Sequence, residues 1–288
     1  MALLPNSFEH PWWQAIRSDL LTVLALDKPE ARLDWLNEQA RERACLNSRG
    51  LSIEFIDQAH WSGKAYEAWI DQHGQVPTRL SGKGQWHDLF NALIWLRCPL
   101  SKAQLNRAHV KASRIDAAGS ATQSGRRGPM RDKATLIDEQ ALIWLDHDPV
   151  LREALQRRDW SKLFLEERDR WSALQHTRGL FVFGHALYEK FLAPYKALTA
   201  HVLILSPTTA SSAVKAQGKT ARLDAQTGCD LSMHELDAVL AQRLSDWTDA
   251  QTLRLYPLPV LGVPGWHQDN ACPAFYDDRH VFRRPANI

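Results

Sequence analysis

Cysteine is scarce in this sequence, and no two cysteines are close enough to form a metal-binding or redox motif. The four cysteines, Cys45, Cys98, Cys229 and Cys272, are scattered along the chain. Because no C-x-x-C pair is present, the sequence excludes a zinc ribbon and a thioredoxin-type site. Scattered cysteines are typical of proteins in a reducing compartment, so we expect a cytoplasmic location.

Long apolar runs and a basic leader segment are also missing. The longest apolar runs, such as LLTVLAL at 20–26, are far shorter than the roughly 18 residues of a membrane helix. The N-terminal segment carries acidic residues and early prolines instead of a basic region followed by an apolar one. This argues against a signal or transit peptide, so we expect neither secretion by that route nor a membrane span.

Several well-known catalytic templates are absent as well. The sequence contains no G-x-S-x-G, no G-x-x-x-x-G-K-[ST], no G-x-G-x-x-G and no H-E-x-x-H. These absences argue against nucleophilic serine catalysis of that type and against classical nucleotide binding. The net charge of +2 is too mild to indicate nucleic-acid binding from bulk charge alone.

Tryptophan is unusually frequent for this residue type, with 12 copies in 288 residues. Because tryptophan is large and carries an N–H group that needs a partner, many tryptophans indicate a bulky core with polar sites at its edges. Stacking on a ligand is the alternative role, and packing is the commoner one.

Helical periodicity dominates the chain, with a few strand-like segments that do not alternate strictly with the helices. This pattern predicts an α+β fold, a predominantly helical one with a few short strands that include a hairpin near 134–146. We expect a single domain over 1–288, in which the N-terminal helices at 1–48 could form a subregion. Small polar residues predict flexible loops near 117–130 and 207–221.

The helix predicted at 86–97 begins with three hydrogen-bonding residues, His87, Asp88 and Asn91. Apolar side chains cover most of its circumference, so we expect the helix to be buried and these three groups to need partners. They are candidate catalytic residues at the floor of a pocket. The alternative is a helix start, where an acidic residue is favoured by the helix dipole. A Cys98–Pro99 break follows, and then a second helix with Ser101 as its N-cap. Ser232 is likewise the predicted N-cap of a helix at 232–247, with Glu235 at the capping-box position.

A second polar group is predicted where an apolar strand turns at Gly184 into a helix that begins with His185. His185 is a candidate catalytic residue, and Glu189 lies four positions later on the same helical face. Histidine and glutamate at this spacing can bind a divalent metal, with Asp138 as a third ligand. A simple hydrogen bond between the two side chains is the alternative interpretation.

Arginines surround Gly128 in a glycine-rich segment, and arginine suits the bidentate binding of phosphate or carboxylate. We expect four residues to bind an anionic substrate: Arg79, Lys102, Arg127 and Arg131. Asp138 is a further candidate catalytic residue, at the predicted hairpin turn with Glu139. The alternative is a solvated loop with ordinary turn residues.

Four separated segments, in this order, resemble one bacterial family: GQVPTR with HDLFNALIWLRCPLSKAQLN, RRGPMRDKATLIDE, FVFGHALYEKFLAPY, and LPVLGVPGW with PAFYDDRHVFR. The family is the one catalogued as domain of unknown function 3025. The resemblance extends from about residue 50 to the C-terminus. It implies a single unit in which these polar motifs are a shared pattern, and it implies no activity. One departure is DEQA where D-E-x-G is expected at the hairpin turn.

Three hypotheses follow. In the first, the motifs meet in one pocket of an enzyme, a hydrolase of an anionic, phosphate-containing substrate that could use a divalent metal. In the second, the chain is a non-enzymatic module that binds RNA, a nucleotide or a protein partner through Arg126, Arg127, Lys133 and exposed tryptophans. In the third, the motifs are buried polar networks that stabilise one fold. The sequence does not indicate the oligomeric state.

Overall fold

The structure is a computed structural model that describes residues 8–63, 65–119, 128–146, 148–176, 179–205, 232–247 and 252–283. The first elements are a 3-10 turn (Pro11–Trp13), α1 (Arg17–Leu24), α2 (Pro29–Glu42), β1 (Glu54–Asp57), a 3-10 turn (Gln58–His60), α3 (Tyr66–His73) and β2 (Gln75–Thr78). The next are α4 (Gln85–Arg97), α5 (Pro99–Gly119), α6 (Pro129–Gln140), β3 (Ala141–Leu145) and α7 (Pro149–Arg157).

The C-terminal part of the described chain returns to the sheet. It consists of a π-helical turn (Lys162–Glu166), α8 (Arg168–His176), β4 (Leu180–Val182), α9 (His185–Lys190), β5 (Thr199–Leu205), α10 (Met233–Ser245) and β6 (Leu255–Pro259). Three 3-10 turns end it: Val260–Gly262, Gln268–Ala271 and Pro273–Asp277.

Two small sheets are present in the described chain, and each contains a parallel pair of strands. β1 and β2 pair in parallel. The larger sheet has the strand order β4-β3-β5-β6, in which β3 and β5 are parallel and the two outer pairs are antiparallel. All five residues of β3 are buried, as expected for an inner strand covered on both faces. The predicted α+β fold, mostly helical with short strands, is confirmed.

The tryptophans that the structure describes serve largely as core side chains. Trp13, Trp95, Trp144 and Trp171 are among the largest fully buried side chains. Trp144 and Trp171 contact each other, with ring centroids 5.4 Å apart. The buried apolar residues from Phe8 to Phe282 form one cluster, so the N-terminal helices share their core with the sheet. The expectation of core packing holds for these four residues.

The hairpin predicted near 134–146 is wrong. Residues 129–140 form α6, and only the following five residues form a strand. Pro129 fits the first turn of a helix, and Ala134 and Ile137 are buried at a helical spacing. The predicted turn residues Glu139 and Gln140 also lack the positive-φ preference of a tight hairpin turn. Asp138 and Glu139 therefore lie in the last turn of α6 and not at a hairpin turn.

The predicted N-cap at Ser101 is wrong as well, because α5 begins at Pro99. The amides of Leu100 and Ser101 donate to the carboxylate of Asp237 in α10, each over 2.9 Å. A carboxylate distant in sequence therefore caps α5, and no local pattern could indicate it. The predicted cap at Ser232 is confirmed, including its reciprocal hydrogen bonds with Glu235.

The irregular tail contains a strand that the sequence did not indicate. β6 includes Pro257 and Pro259 and pairs with β5 at the edge of the larger sheet. Edge strands tolerate proline because one side of the strand needs no ladder hydrogen bonds. The predicted loop at 207–221 and most of the one at 117–130 lie outside the described residues. No helix of the described chain is long and apolar enough to cross a membrane.

Candidate functional site

Two histidines from distant segments meet edge to face. His87 in the first turn of α4 and His185 at the start of α9 have their Nε2 atoms 3.1 Å apart. Their ring planes are nearly perpendicular, at 81°. Two imidazole nitrogens at this distance form a hydrogen bond when one of them carries a proton.

Each outer nitrogen of this histidine pair faces a carboxylate. Nδ1 of His87 is 3.1 Å from Oε2 of Glu189, a hydrogen-bonding distance. Nδ1 of His185 is 3.7 Å from Oδ1 of Asp138, which is an ion-pair distance and longer than a direct hydrogen bond. Within the described chain, Nδ1 of His185 is buried without a hydrogen-bond partner. The order of groups is therefore carboxylate, imidazole, imidazole, carboxylate.

Gly184 allows α9 to approach α6 closely enough for this arrangement. A Cβ atom at Gly184 would lie 2.5 Å from the backbone of Glu139 and Gln140. Any side chain here would push the start of α9 away from the end of α6, where Asp138 lies. α9 also packs against α4, which carries His87. Glycine is therefore needed in this strand–glycine–helix segment because it permits the close approach of α9 to α6, and not only because it forms a turn.

A buried lysine neutralises the inner carboxylate. Nζ of Lys102 in α5 forms an ion pair with Oδ1 of Asp138 and donates a hydrogen bond of 2.8 Å to Oδ1 of Asn91. The Lys102 side chain is only 5% exposed. Burial raises the pKa of Asp138, but the charge of Lys102 and the interaction with His185 outweigh it and hold the pKa well below its usual range. Asp138 is therefore an anion throughout the physiological range.

The direction of the hydrogen bonds beyond Lys102 is fixed by chemistry. An ammonium group only donates, so the amide oxygen of Asn91 must face Lys102. The amide nitrogen of Asn91 then donates to the hydroxyl oxygen of Tyr66, over 2.9 Å. Tyr66 accepts this bond and keeps its own proton for another acceptor. Burial raises the pKa of Tyr66 far above its usual value, and the nearby charges of Asp88 and Asp138 raise it further.

Asp88 anchors the loop that precedes α4. Its Oδ2 accepts a hydrogen bond of 2.9 Å from the backbone amide of Arg79 and lies 3.5 Å from Nε of the same residue. Burial raises the pKa of Asp88, and the contacts with Arg79 oppose this rise. Arg79, predicted as a substrate ligand, keeps 43% of its side chain exposed. An anion could therefore reach it beside this ion pair.

The group has an exposed end and a buried end. The side chains of His87 and Glu189 are 38% and 42% exposed, whereas that of His185 is 6% exposed. Asn91 and Lys102 are buried as well, at 7% and 4% exposure, in the junction between α4 and α5. A ligand could therefore reach this network at His87 and Glu189.

The structure brings most of the predicted residues together, but not in the predicted pairs. Glu189 contacts His87 and not His185, so the expected hydrogen bond within α9 is wrong. Asp88 lies near both histidines, and its interactions with them oppose the rise in its pKa that burial causes. Arg127 lies outside the described residues. Among the residues described, no group of three or more His, Cys, Asp and Glu is placed to hold a metal ion. The predicted set of His185, Glu189 and Asp138 stays a prediction.

The sequence reasoning missed Tyr66 and His109. Lys102, Asn106 and His109 follow one another at spacings of four and three in α5, so they share a helical face. That spacing could have revealed His109. All three line one cavity of about 10 Å³ together with Tyr66 and Asp138. Two much larger surface grooves, of about 630 and 670 Å³, have none of these residues in their walls.

A family model described as protein of unknown function (DUF3025) matches residues 53–286. The chain belongs to this family. No curated protein and no solved structure matches the chain. The DUF3025 region contains every residue of the network, from Tyr66 to Glu189. It leaves α1 and α2 outside, so the DUF3025 domain carries the network without residues of these two helices.

Proposed function

We propose that the chain is a hydrolase that acts on an anionic, phosphate-containing substrate and uses the His87–His185 pair for acid–base catalysis. The observation that carries this proposal is the 3.1 Å contact between the two Nε2 atoms, with a carboxylate facing each outer nitrogen. Paired imidazoles with oriented carboxylates can store a proton and release it, as general acid–base catalysis requires. We also propose a cytoplasmic location, which the scattered cysteines of the sequence favour.

The number of protons on the pair follows from the neighbours. Glu189 only accepts, so Nδ1 of His87 carries a proton. The contact between the two Nε2 atoms needs one proton, which either ring can hold. Nδ1 of His185 faces the anionic Asp138, and a proton there is electrostatically favoured. We infer that the pair in this arrangement carries three protons and one positive charge.

This charge state balances the site. Glu189 and Asp138 contribute two negative charges, while Lys102 and the histidine pair contribute two positive charges. A network with no net charge avoids the cost of an uncompensated buried ion. Releasing the shared proton leaves the site with one negative charge, so the proton returns readily from a reacting group. This is the behaviour expected of a general base that later acts as an acid.

Roles are assigned from exposure. His87 and Glu189 are exposed enough to meet a substrate, so they exchange protons with it. His185, Asp138 and Lys102 lie behind them and set the charge of the pair. These three are positioning residues. Lys102 was expected to bind substrate, and its two polar contacts favour this internal role instead.

The anionic substrate is proposed from the cations around the network. Arg79 lies next to Asp88, in the loop before α4, the helix that carries the exposed His87. Arg131 lowers the pKa of the buried His109, so Arg79 is the cation better placed for a substrate at His87. Guanidinium groups bind phosphate oxygens in a bidentate manner. Phosphate-containing small molecules, including nucleotides, are therefore the substrates to test first.

The direct test is a hydrolysis assay with phosphomonoester and phosphodiester substrates. His87→Gln and Glu189→Gln remove the proton-exchanging groups, and we expect kcat/KM to fall by about 100-fold or more. His280→Gln is the matched control, since His280 is exposed and lies in the C-terminal tail. Hydrolysis that is equal in the wild type and in all three variants would contradict the proposal. Folding of each variant is verified by circular dichroism.

A metal-assisted version of the same hydrolysis is the second candidate. His87 and His185 would be the residues that hold a divalent ion such as Zn²⁺, which binds imidazole nitrogens and would activate a water molecule for hydrolysis. Their Nε2 atoms lie 3.1 Å apart. Carboxylates behind metal-bound histidines are a common arrangement, and Glu189 and Asp138 occupy these positions. The ion would complete its coordination with substrate oxygens or water.

Metal analysis separates the two versions. We expect metal in protein purified without chelator, and less of it in His87→Ala and His185→Ala, if the ion is part of the site. Metal that is absent, or equal in all three proteins, removes the metal version and leaves the acid–base version intact. Binding releases protons from the pair, so pH-dependent affinity is a second indicator.

A binding module for RNA, a nucleotide or a protein partner is the alternative function. Its predicted contacts include Arg126 and Arg127, which lie outside the described residues, and Lys133, whose Nζ donates to the carbonyl of Leu253 in this structure. Nucleic-acid binding through phosphates weakens steeply with salt. A gel-shift assay across a salt series tests this alternative, and binding that is absent or independent of salt would count against RNA.

A further inference from the structure

The cavity beside Lys102 and Asp138 is lined by buried polar groups that lack partners. Nε2 of His109 and Oδ1 of Asn106 have no hydrogen-bond partner within the described chain. Both residues are at least nine-tenths buried, at 5% and 4% exposure. An unpaired buried polar atom loses its bonds to water without replacing them, so two in one cavity wall point to a ligand between them.

The orientation of both amides around this cavity is fixed by their other bonds. Nδ2 of Asn106 donates to the carbonyl of Glu67 over 3.0 Å, so its oxygen is the unpartnered acceptor. The amide of Asn91 is oriented by Lys102, and its nitrogen donates to Tyr66. The Tyr66 hydroxyl therefore retains a proton to donate. The cavity wall offers one donor, one acceptor and one imidazole nitrogen that can act as either.

Charge in the cavity wall favours a neutral occupant. Lys102 and Asp138 already form an ion pair with each other. Burial lowers the pKa of His109. The charges of Asp138 and Glu67 oppose this effect, and those of Lys102 and Arg131 lower the pKa of His109 further. His109 is therefore neutral at physiological pH. An added ion would find no uncompensated charge of opposite sign among these groups.

We infer that this cavity binds one neutral, water-sized molecule, which joins Tyr66, Asn106 and His109 to the network around Asp138. The cavity volume of about 10 Å³ matches the space of about 10–15 Å³ that a single water molecule needs. Water can accept from Tyr66 and donate to both Asn106 and His109. This inference does not rest on the proposed function, since it concerns binding alone.

The consequence is a second, inner branch of the proton network. Lys102, Asn91 and Tyr66 connect Asp138 to the bound molecule through hydrogen bonds of fixed direction. His109 is the end of this branch, just as Glu189 is the exposed end on the other side of the histidine pair. Tyr66 and His109 are then positioning residues for Asp138 and not isolated core groups.

A crystal structure at atomic resolution, grown without ammonium salts, tests the inference on the wild-type protein. We expect one density peak at about 2.7–3.2 Å from both Oδ1 of Asn106 and Nε2 of His109. A cavity without density, or one filled by a protein side chain, would overturn the inference. Crystals grown with ammonium salts are the second arm. A peak that appears only in these crystals would identify a cation and would overturn the neutral ligand.

Oxygen-17 relaxation dispersion gives an independent test in solution, because it counts long-lived internal water molecules. His109→Leu fills the cavity and removes a partner, so we expect one long-lived water fewer than in the wild type. His280→Leu, at an exposed position, is the control and should leave the number unchanged. Asn106→Leu repeats the test if His109→Leu does not fold. An equal number in all proteins would contradict the inference.

Discussion

Nε2 of His87 and Nε2 of His185 lie 3.1 Å apart, although the two residues are separated by 98 positions in the sequence. The contact connects α4 to α9, and each ring is backed by a carboxylate from a different helix, Glu189 from α9 and Asp138 from α6. Three helices therefore contribute to one polar unit. Lys102 from α5 joins it through its ion pair with Asp138.

The buried ion pair between Lys102 and Asp138 should dominate the stability of this unit. Asp138→Asn leaves Lys102 as an uncompensated charge that is 5% exposed, so we expect a loss of about 3–5 kcal/mol in the free energy of unfolding. Urea denaturation measures this loss. The double variant Asp138→Asn with Lys102→Met removes both charges and should recover part of it.

The matched control for this prediction is the exposed pair of Arg157 and Glu153, with 79% and 60% side-chain exposure. Glu153→Gln should cost less than about 1 kcal/mol, as exposed pairs do. Equal losses for Asp138→Asn and Glu153→Gln would show that the Lys102 environment is solvated, contrary to the structure.

Asp237 should make the free energy of unfolding depend on pH. Burial raises the pKa of this carboxyl to about 6, although the Ser101 side chain and the backbone amides of Leu100 and Ser101 lower it. Between the unfolded pKa of about 4 and this value, the folded state holds a proton that the unfolded state has lost. The contribution of Asp237 is therefore full below about pH 4 and is lost as pH rises to about 6.

The loss amounts to about 3 kcal/mol for a shift of about two pKa units. Urea unfolding between pH 4 and pH 7 measures it, and Asp237→Asn should flatten this part of the profile. Asp246→Asn, at the exposed end of α10, is the control and should keep the wild-type slope. A wild-type slope that persists in Asp237→Asn would assign the effect to another group.

Gly184→Ala should separate the two halves of the histidine unit. The new Cβ atom would lie 2.5 Å from the backbone of Glu139 and Gln140, which cannot move without shifting α6. We expect a loss of about 1–3 kcal/mol in unfolding free energy, typical of forced overpacking. Gly184→Ser should lose at least as much. Wild-type stability in both variants would contradict the close approach of α9 to α6.

The polar motifs of the sequence predict that His87, Asp138, His185 and Glu189 lie close together, and the structure brings these four side chains into one cluster. Their pairing could not be predicted. Glu189 and His185 share a helical face, yet the orientation of α9 on α4 directs Glu189 to His87. Such orientations depend on packing between helices, which local spacing does not encode.

The same limit applies to the secondary structure: features with local determinants are predictable, and features that depend on distant residues are not. Helix α4 and the cap at Ser232 were predicted because their determinants are local. The β-branched residues Thr135 and Ile137 favour a strand before β3, whereas the spacing of Ala134 and Ile137 indicates the helix that the structure has. The cap of α5 could not be found at all, because its carboxylate is Asp237 in α10.

Nitrogen-15 NMR of the imidazole side chains measures the charge state of the histidine pair, on which the proposed acid–base role depends. At pH 6 we predict protons on Nδ1 of both His87 and His185, and one proton shared between their Nε2 atoms. His280→Gln provides the assignment control, because it removes an exposed histidine and should leave these signals unchanged. Two neutral rings, or an unprotonated Nδ1 of His87, would contradict the proposed single positive charge on the His87–His185 pair.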